Sequence, residues 1–185
     1  RQRQMCIRDR LEPLVASVRQ CLEHRHSYVR KNAVFAVLMI YQRHEQLISD
    51  APELMETFLE SEADATCKRN AFLALLHMAP ERAVAFLESM IDQITLYDEL
   101  MQMAIIELIR KDAKGECPRR PQYIAAVSEL LASPSHAVKY EAAITLAGLT
   151  QNVAAVKAVA AALIELTVKE SDNNVKPVSY THLTL

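Results

Sequence analysis

The feature that most constrains this chain is a short string that keeps returning. Ser27-Tyr-Val-Arg-Lys-Asn-Ala33 comes back as Ala65-Thr-Cys-Lys-Arg-Asn-Ala71, as His136-Ala-Val-Lys-Tyr-Glu-Ala142 and, more faintly, as Glu99-Leu-Met-Gln-Met-Ala104. The closing alanines of the four copies stand 38, 33 and 38 residues apart. A period of that size marks an array of supersecondary units, each of which buries its apolar face only against its neighbours. Within each copy a polar or small residue precedes an apolar one, usually a basic pair follows, and an alanine then opens a strongly apolar run. That order is a helix start written the same way each time. The runs that follow, such as Ala33-Val-Phe-Ala-Val-Leu-Met-Ile-Tyr41, are apolar on more than one face, as suits helices covered from two sides.

Between these inner helices the sequence places outer ones. Leu11, Leu14, Val15, Val18 and Leu22 share a helical face. Asp50-Ala-Pro-Glu53 opens a second outer helix, with an acidic cap, an early proline and Leu54, Met55, Phe58 and Leu59 behind it. A third begins at Pro80 with Val84, Leu87 and Ile91, a fourth carries Tyr123, Val127, Leu130 and Leu131, and a fifth runs from about Val153 to Val168. Ser27 is the expected cap of the first inner helix, and Ser133-Pro-Ser135 the turn before the fourth. Gly148 is expected where that helix leaves α geometry. Asp112 to Pro121, with one glycine and two prolines, reads as the longest loop, so Asp112 should be replaceable at little cost. The expected fold is all-α, about four and a half helix pairs.

Composition agrees with that fold and narrows the function. The 185 residues are 51% hydrophobic and 24% charged, enough to bury a core, and only two are glycine, too few for the turns of a doubly wound or sandwich fold. The net charge of −2 gives no push toward nucleic acid, and none is expected as a partner. Cys6, Cys21, Cys67 and Cys117 form no CxxC pair, which suits a reducing compartment without a disulfide frame. No apolar run reaches the ~18 residues of a membrane span. A glycine-rich phosphate loop, a GxSxG elbow and an HExxH helix are all missing, so no catalytic, cofactor-binding or metal residues are assigned and the chain is not expected to be an enzyme. His24 and His26 are an incomplete metal set. Cys67, beside Lys68 and Arg69, could be an activated thiol, but it aligns with Val29, Leu100 and Val138 and reads as a packing residue.

The candidate partner surface is a set of basic residues at matching points of the repeats: Arg30, Lys31, Lys68, Arg69 and Lys139. They flank helix starts as solvated residues, or meet acidic groups of the next repeat, or present a ridge to an acidic partner or anionic headgroups. Read as exposed charges, they should contribute little to stability.

The spacing is similar to that of HEAT and armadillo-type α-solenoids. Four strings are more specific: Cys21-Leu-Glu-His-Arg-His-Ser-Tyr-Val-Arg30, Cys67-Lys-Arg-Asn-Ala-Phe72, Ala137-Val-Lys-Tyr-Glu-Ala-Ala143 and Lys169-Glu-Ser-Asp-Asn-Asn-Val-Lys176 resemble the adaptin-like trunks of coatomer beta subunits. The resemblance covers residues 11–176. Residues 1–10 and 177–185 lack the pattern and read as translated sequencing-adapter sequence, which would make the body an interior fragment with a further copy beginning at Ser171. The family implies a structural subunit of the COPI vesicle coat in Golgi-to-endoplasmic-reticulum and intra-Golgi transport. It implies as partners the gamma, delta, zeta and outer-coat subunits and an Arf-family GTPase, at the cytoplasmic face of Golgi and vesicle membranes. A clathrin adaptor large chain, or another HEAT-repeat scaffold or transport receptor, is the alternative.

Overall fold

In the computed structural model, residues 13–115 and 117–169 are described; both terminal stretches set aside above, Leu11 and the copy beginning at Ser171 lie outside them. All regular structure among the described residues is helical. Helix α1 spans residues 13–22. It is followed by α2 (Ser27–His44), α3 (Ala51–Ser61), α4 (Ala65–Met78), α5 (Pro80–Met90), α6 (Glu99–Asp112), α7 (Arg120–Leu130), α8 (His136–Leu149) and α9 (Val153–Lys169). Two 3-10 segments, Glu45–Leu47 and Ile91–Leu96, join α2 to α3 and α5 to α6. The chain divides into two compact units, Arg1–Glu88 and Ser89–Leu185.

In the first unit α4 packs against both α2 and α3. In the second, α8 packs against α6, α7 and α9, and the second 3-10 segment lies against α7. The alanines of the recurring string explain how inner helices come close. Ala33, Ala71 and Ala142 are at most 4% exposed, so these copies bring a helix backbone against a neighbour where a larger side chain would hold it off. Around them the first unit closes on Val34, Val37, Met55, Leu59, Phe72 and Leu75, the second on Ile105, Ile109, Tyr123, Val127, Val138 and Leu146. Asp64 caps α4 by accepting from the Cys67 amide at 2.9 Å, and Ser135 caps α8 by accepting from the Val138 amide at 3.4 Å.

The structure corrects four local expectations. The cap position of α2 is His26, not Ser27, and no side chain caps it; the preceding turn is closed instead by the His26 amide donating to His24 Nδ1. Asp50 stands at the start of α3 but does not cap it, because its carboxylate is drawn to Arg19 of α1. Gly148 is the last but one residue of α8, near the end as expected, but it has no positive φ; the helix ends at Leu149, and Thr150 after it turns extended. Leu14 is half exposed, at the edge of the stripe whose centre is Val15, Val18 and Leu22.

The faint third copy is also one residue out of step. Leu100, which aligns with Cys67 and Val138, is exposed, and Met101 is buried in its place. Asp98 does not cap α6. The buried amide of Gln102 reaches back instead, donating to the carbonyls of Ile94 (3.2 Å), Thr95 (3.4 Å) and Tyr97 (3.0 Å). These bonds and the one-residue offset occur together at the start of α6.

Candidate interaction surface

The basic residues singled out in the sequence do not share one environment. Arg30, on the first turn of α2, is held on every nitrogen. Its Nε donates to Glu62 Oε2 at 2.6 Å and one terminal nitrogen to Glu62 Oε1 at 2.9 Å. The other terminal nitrogen donates to the carbonyls of His24 and Arg25. Glu62 sits in the turn between α3 and α4, and its Oε1 also accepts from the amides of Ala63 and Asp64, both at 2.9 Å. Its side chain is 4% exposed and that of Arg30 18%. Burial pushes the Glu62 carboxyl upward, but the Arg30 hydrogen bonds and the two amides outweigh it, leaving the group below the usual glutamate range. The Glu62 contact raises the Arg30 guanidinium in turn. Arg30 is therefore a structural tie between consecutive repeats and not an exposed charge, so the premise on which it was expected to contribute little to folding does not hold for it.

Lys139, in the second unit, is similarly engaged: its side chain is 14% exposed and Nζ lies 3.4 Å from Glu165 Oε2 on α9. Arg69 is half-buried and donates to Asn70 Oδ1 at 3.4 Å. Lys31 and Lys68 are half-buried and make no ion pair among the described residues. Of the five, then, Arg30 and Lys139 have their charge answered from within the fold, while Lys31, Lys68 and Arg69 do not meet a carboxylate among the described residues.

Cys67 is fully buried and its Sγ donates to the Ser27 carbonyl at 3.2 Å. Burial first, and the carboxylates of Asp64 and Glu62 after it, push the thiol up to about 11, so the neighbouring cations do not activate it. His24 and His26 stand as a tilted ring pair, 5.4 Å between centroids, with His24 Nδ1 already accepting from the backbone.

A cluster that the sequence did not signal lies in the second unit. Asp112, the last residue of α6, accepts from the Tyr123 hydroxyl at 2.8 Å, from Cys117 Sγ at 3.2 Å and from Arg119 at 3.2 Å, while Arg120 donates to the carbonyls of Ala113 and Gly115. Tyr123 is fully buried. Burial pulls the Asp112 carboxyl up and these donors more than reverse it, so it stays below the ordinary aspartate range. The glycine and prolines of the segment suggested a free loop; the chain there is a clasp gathered on one carboxylate. No group of three or more potential metal-ligating side chains occurs among the described residues.

Comparison with known proteins gives this stack its relatives. The family model described as adaptin N terminal region matches residues 4–184. The chain belongs to the adaptin N-terminal family. Curated relatives sharpen this. Coatomer subunit beta of Sus scrofa is 51% identical over 166 residues, 90% of this chain and 17% of the relative. That of Dictyostelium discoideum is 49% identical over 168 residues, 91% and 18% of the two chains. Coatomer subunit beta-1 of Arabidopsis thaliana is 44% identical over 168 residues, 90% and 18%. This adaptin-type chain thus spans less than a fifth of the length of these relatives. The family is a HEAT/armadillo-type helical one, in agreement with the all-α repeats described above.

Proposed function

We propose that the chain is part of the structural trunk of a COPI vesicle coat, acting as a coatomer beta subunit in Golgi-to-endoplasmic-reticulum and intra-Golgi transport. One observation carries the reading: close to half of the residues are identical to coatomer beta subunits of animals, a slime mould and plants over nine-tenths of the chain. The adaptin family also contains clathrin adaptor chains, but the relatives named above are coatomer subunits. A trunk of stacked helices with small residues at its contacts suits a scaffold, whose work is to hold partners at fixed distances. On this reading the partners are the other coatomer subunits, gamma, delta and zeta among them, and an Arf-family GTPase that recruits the coat to the cytoplasmic face of Golgi membranes. No helix among the described residues is long and apolar enough to cross a membrane, which fits peripheral attachment.

The surface proposed for a partner is narrowed to Lys31, Lys68 and Arg69, with Arg30 and Lys139 serving the fold as well. The test uses the full-length protein, tagged, in a eukaryotic cell. Coatomer subunits should co-purify from cytosol, and the Golgi-region signal should vanish when Arf activation is blocked. Recovery of nuclear-transport cargo or a phosphatase catalytic subunit in their place would sink the coat reading and leave the fold standing.

A further inference from the structure

Charge is segregated in the first unit in a way the repeat pattern alone does not require. Helices α2 and α4 together carry Arg30, Lys31, Arg43, Lys68 and Arg69 and not one aspartate or glutamate, whereas α3 carries Glu53, Glu56 and Glu60 and no basic residue. Only Arg30 of the five cations is in an ion pair among the described residues, with Glu62. The inner helices are thus a cationic surface in a chain whose net charge is slightly negative.

The same surface exposes large apolar side chains. Tyr28, Phe35 and Met39 are 74%, 44% and 47% exposed. Their spacing of seven and four puts them on one line along α2, opposite the buried line of Ala33, Val37 and Ile40. Lys31 and Arg43 flank that line on either side. Thirty-eight residues on, the equivalent positions of α4 are Thr66, Arg69, Leu73 and His77, so Arg69 and Leu73 repeat Lys31 and Phe35 on the neighbouring helix. None of these four α4 residues is buried. Aromatic residues, methionine and arginine on an accessible face are the composition of a protein-binding surface, and methionine adapts its shape to what is laid on it.

We propose that this face of α2 and α4, with Tyr28, Phe35, Met39 and Leu73 as its apolar floor and Lys31, Arg43 and Arg69 as its rim, docks an acidic amphipathic helix of a partner polypeptide. The inference deepens the partner-surface reading given above and rests on it. Anchors spaced at seven and four, beside cations that meet no carboxylate among the described residues, complement a helix with apolar residues at i, i+3, i+4 and i+7 and glutamate or aspartate alongside. A membrane is the poorer match. Phe35 and Met39 are half sunk between neighbouring side chains and not raised for insertion, and three cations give only about 3 kcal/mol at an anionic surface.

The experiment measures binding of a fluorescein-labelled model peptide to the 185-residue chain by anisotropy. The peptide has 18 residues, about five helical turns, with leucine at the four anchor positions and glutamate at most others; a second peptide has lysine for every glutamate. Saturable binding of the glutamate peptide alone is expected, weakened tenfold or more by Lys31→Glu with Arg69→Glu, and separately by Phe35→Ser with Met39→Ser. Circular dichroism spectra and melting temperatures of the variants should match the parent, since all four side chains are at least partly exposed. Three results overturn the proposal: no binding of the glutamate peptide; binding that the Phe35 and Met39 changes leave intact, which is nonspecific charge attraction; or preference for phosphatidylserine vesicles that the same changes abolish, which makes the face a membrane contact. None of these touches the coat reading, which co-purification with coatomer decides independently.

Discussion

The two units answer the same structural demand with opposite chemistry. Each must tie an inner helix to the turn of the next helix pair. In the first unit an ion pair does it, Arg30 with Glu62, assisted by backbone amides. In the second, the turn residue equivalent to Glu62 is Ser133, and its buried hydroxyl faces the amide of Gln102 at 3.5 Å. One joint is charged, short and multiply bonded; the other is neutral and long. A repeat array therefore fixes where a connection is made and leaves its chemistry open, so stability, pH response and tolerance to substitution can differ between units of one period.

Removing a partner separates the two joints most sharply. Glu62→Ala strands the guanidinium of Arg30 in a partly buried site and should cost about 3 kcal/mol, whereas Ser133→Ala should cost about 1 kcal/mol; urea denaturation of both variants gives the comparison, and equal losses would erase it. The charged joint also carries a pH signature. Because the folded-state pKa of Glu62 is depressed, its contribution is complete above the unfolded glutamate value near 4.3 and is lost as pH falls through the lower folded value. The stability gap between the parent and Glu62→Gln should consequently narrow from about pH 4.3 downward, while Ser133→Ala keeps a constant gap.

Next in size is the shared element. Ala142→Leu, at a fully buried close contact, should destabilise by about 2 kcal/mol through overpacking, and Ala71→Leu in the first unit should do the same. A large asymmetry between the two would mean that the helices do not approach alike. Asp112→Ala comes third, at about 1.5 kcal/mol, because it leaves the buried Tyr123 hydroxyl without its acceptor. Pairing it with Tyr123→Phe in a double-mutant cycle should show strong non-additivity. The smallest effect has the opposite sign. Gly148 is helical, exposed and has open space where a Cβ would stand, so Gly148→Ala should raise stability by about 0.5 kcal/mol; a loss in a thermal melt would mean that the position needs glycine after all.

What the sequence revealed and what it hid follow from the range of the interactions. The alanines were readable because close helix approach imposes one residue size at one period, and the outer helices because their apolar spacing is local. The Arg30–Glu62 tie was not, since its partners are 32 residues apart and the pairing depends on how one turn faces the next helix. Asp112 was hidden for a related reason: Gly115, Pro118 and Pro121 are strong local signals of a loop, and nothing local reveals that a buried tyrosine will point its hydroxyl back at the helix end. The shift of α6 by one residue accompanies the bonds from Gln102 to the preceding 3-10 segment, a reach across eight residues that local spacing does not announce. The basic set illustrates the limit best. One sequence pattern placed five cations at matching positions, and only their surroundings separated the two engaged by carboxylates of the fold from the three that meet none among the described residues.

Glu62, with four donors on one carboxylate, has a mechanical consequence. The two amides hold the carboxylate in its turn, and the two bonds from Arg30 are short-ranged and break together once their atoms move apart by a fraction of an ångström, so sliding α2 along the turn before α4 meets a steep resistance and then almost none. Under load the first unit should behave as a stiff element with a sharp yield point. At the corresponding turn of the second unit the contact is long and neutral and should give gradually, leaving the bonds of Arg110 on α6 to Glu141 and Thr145 of α8 to carry the load.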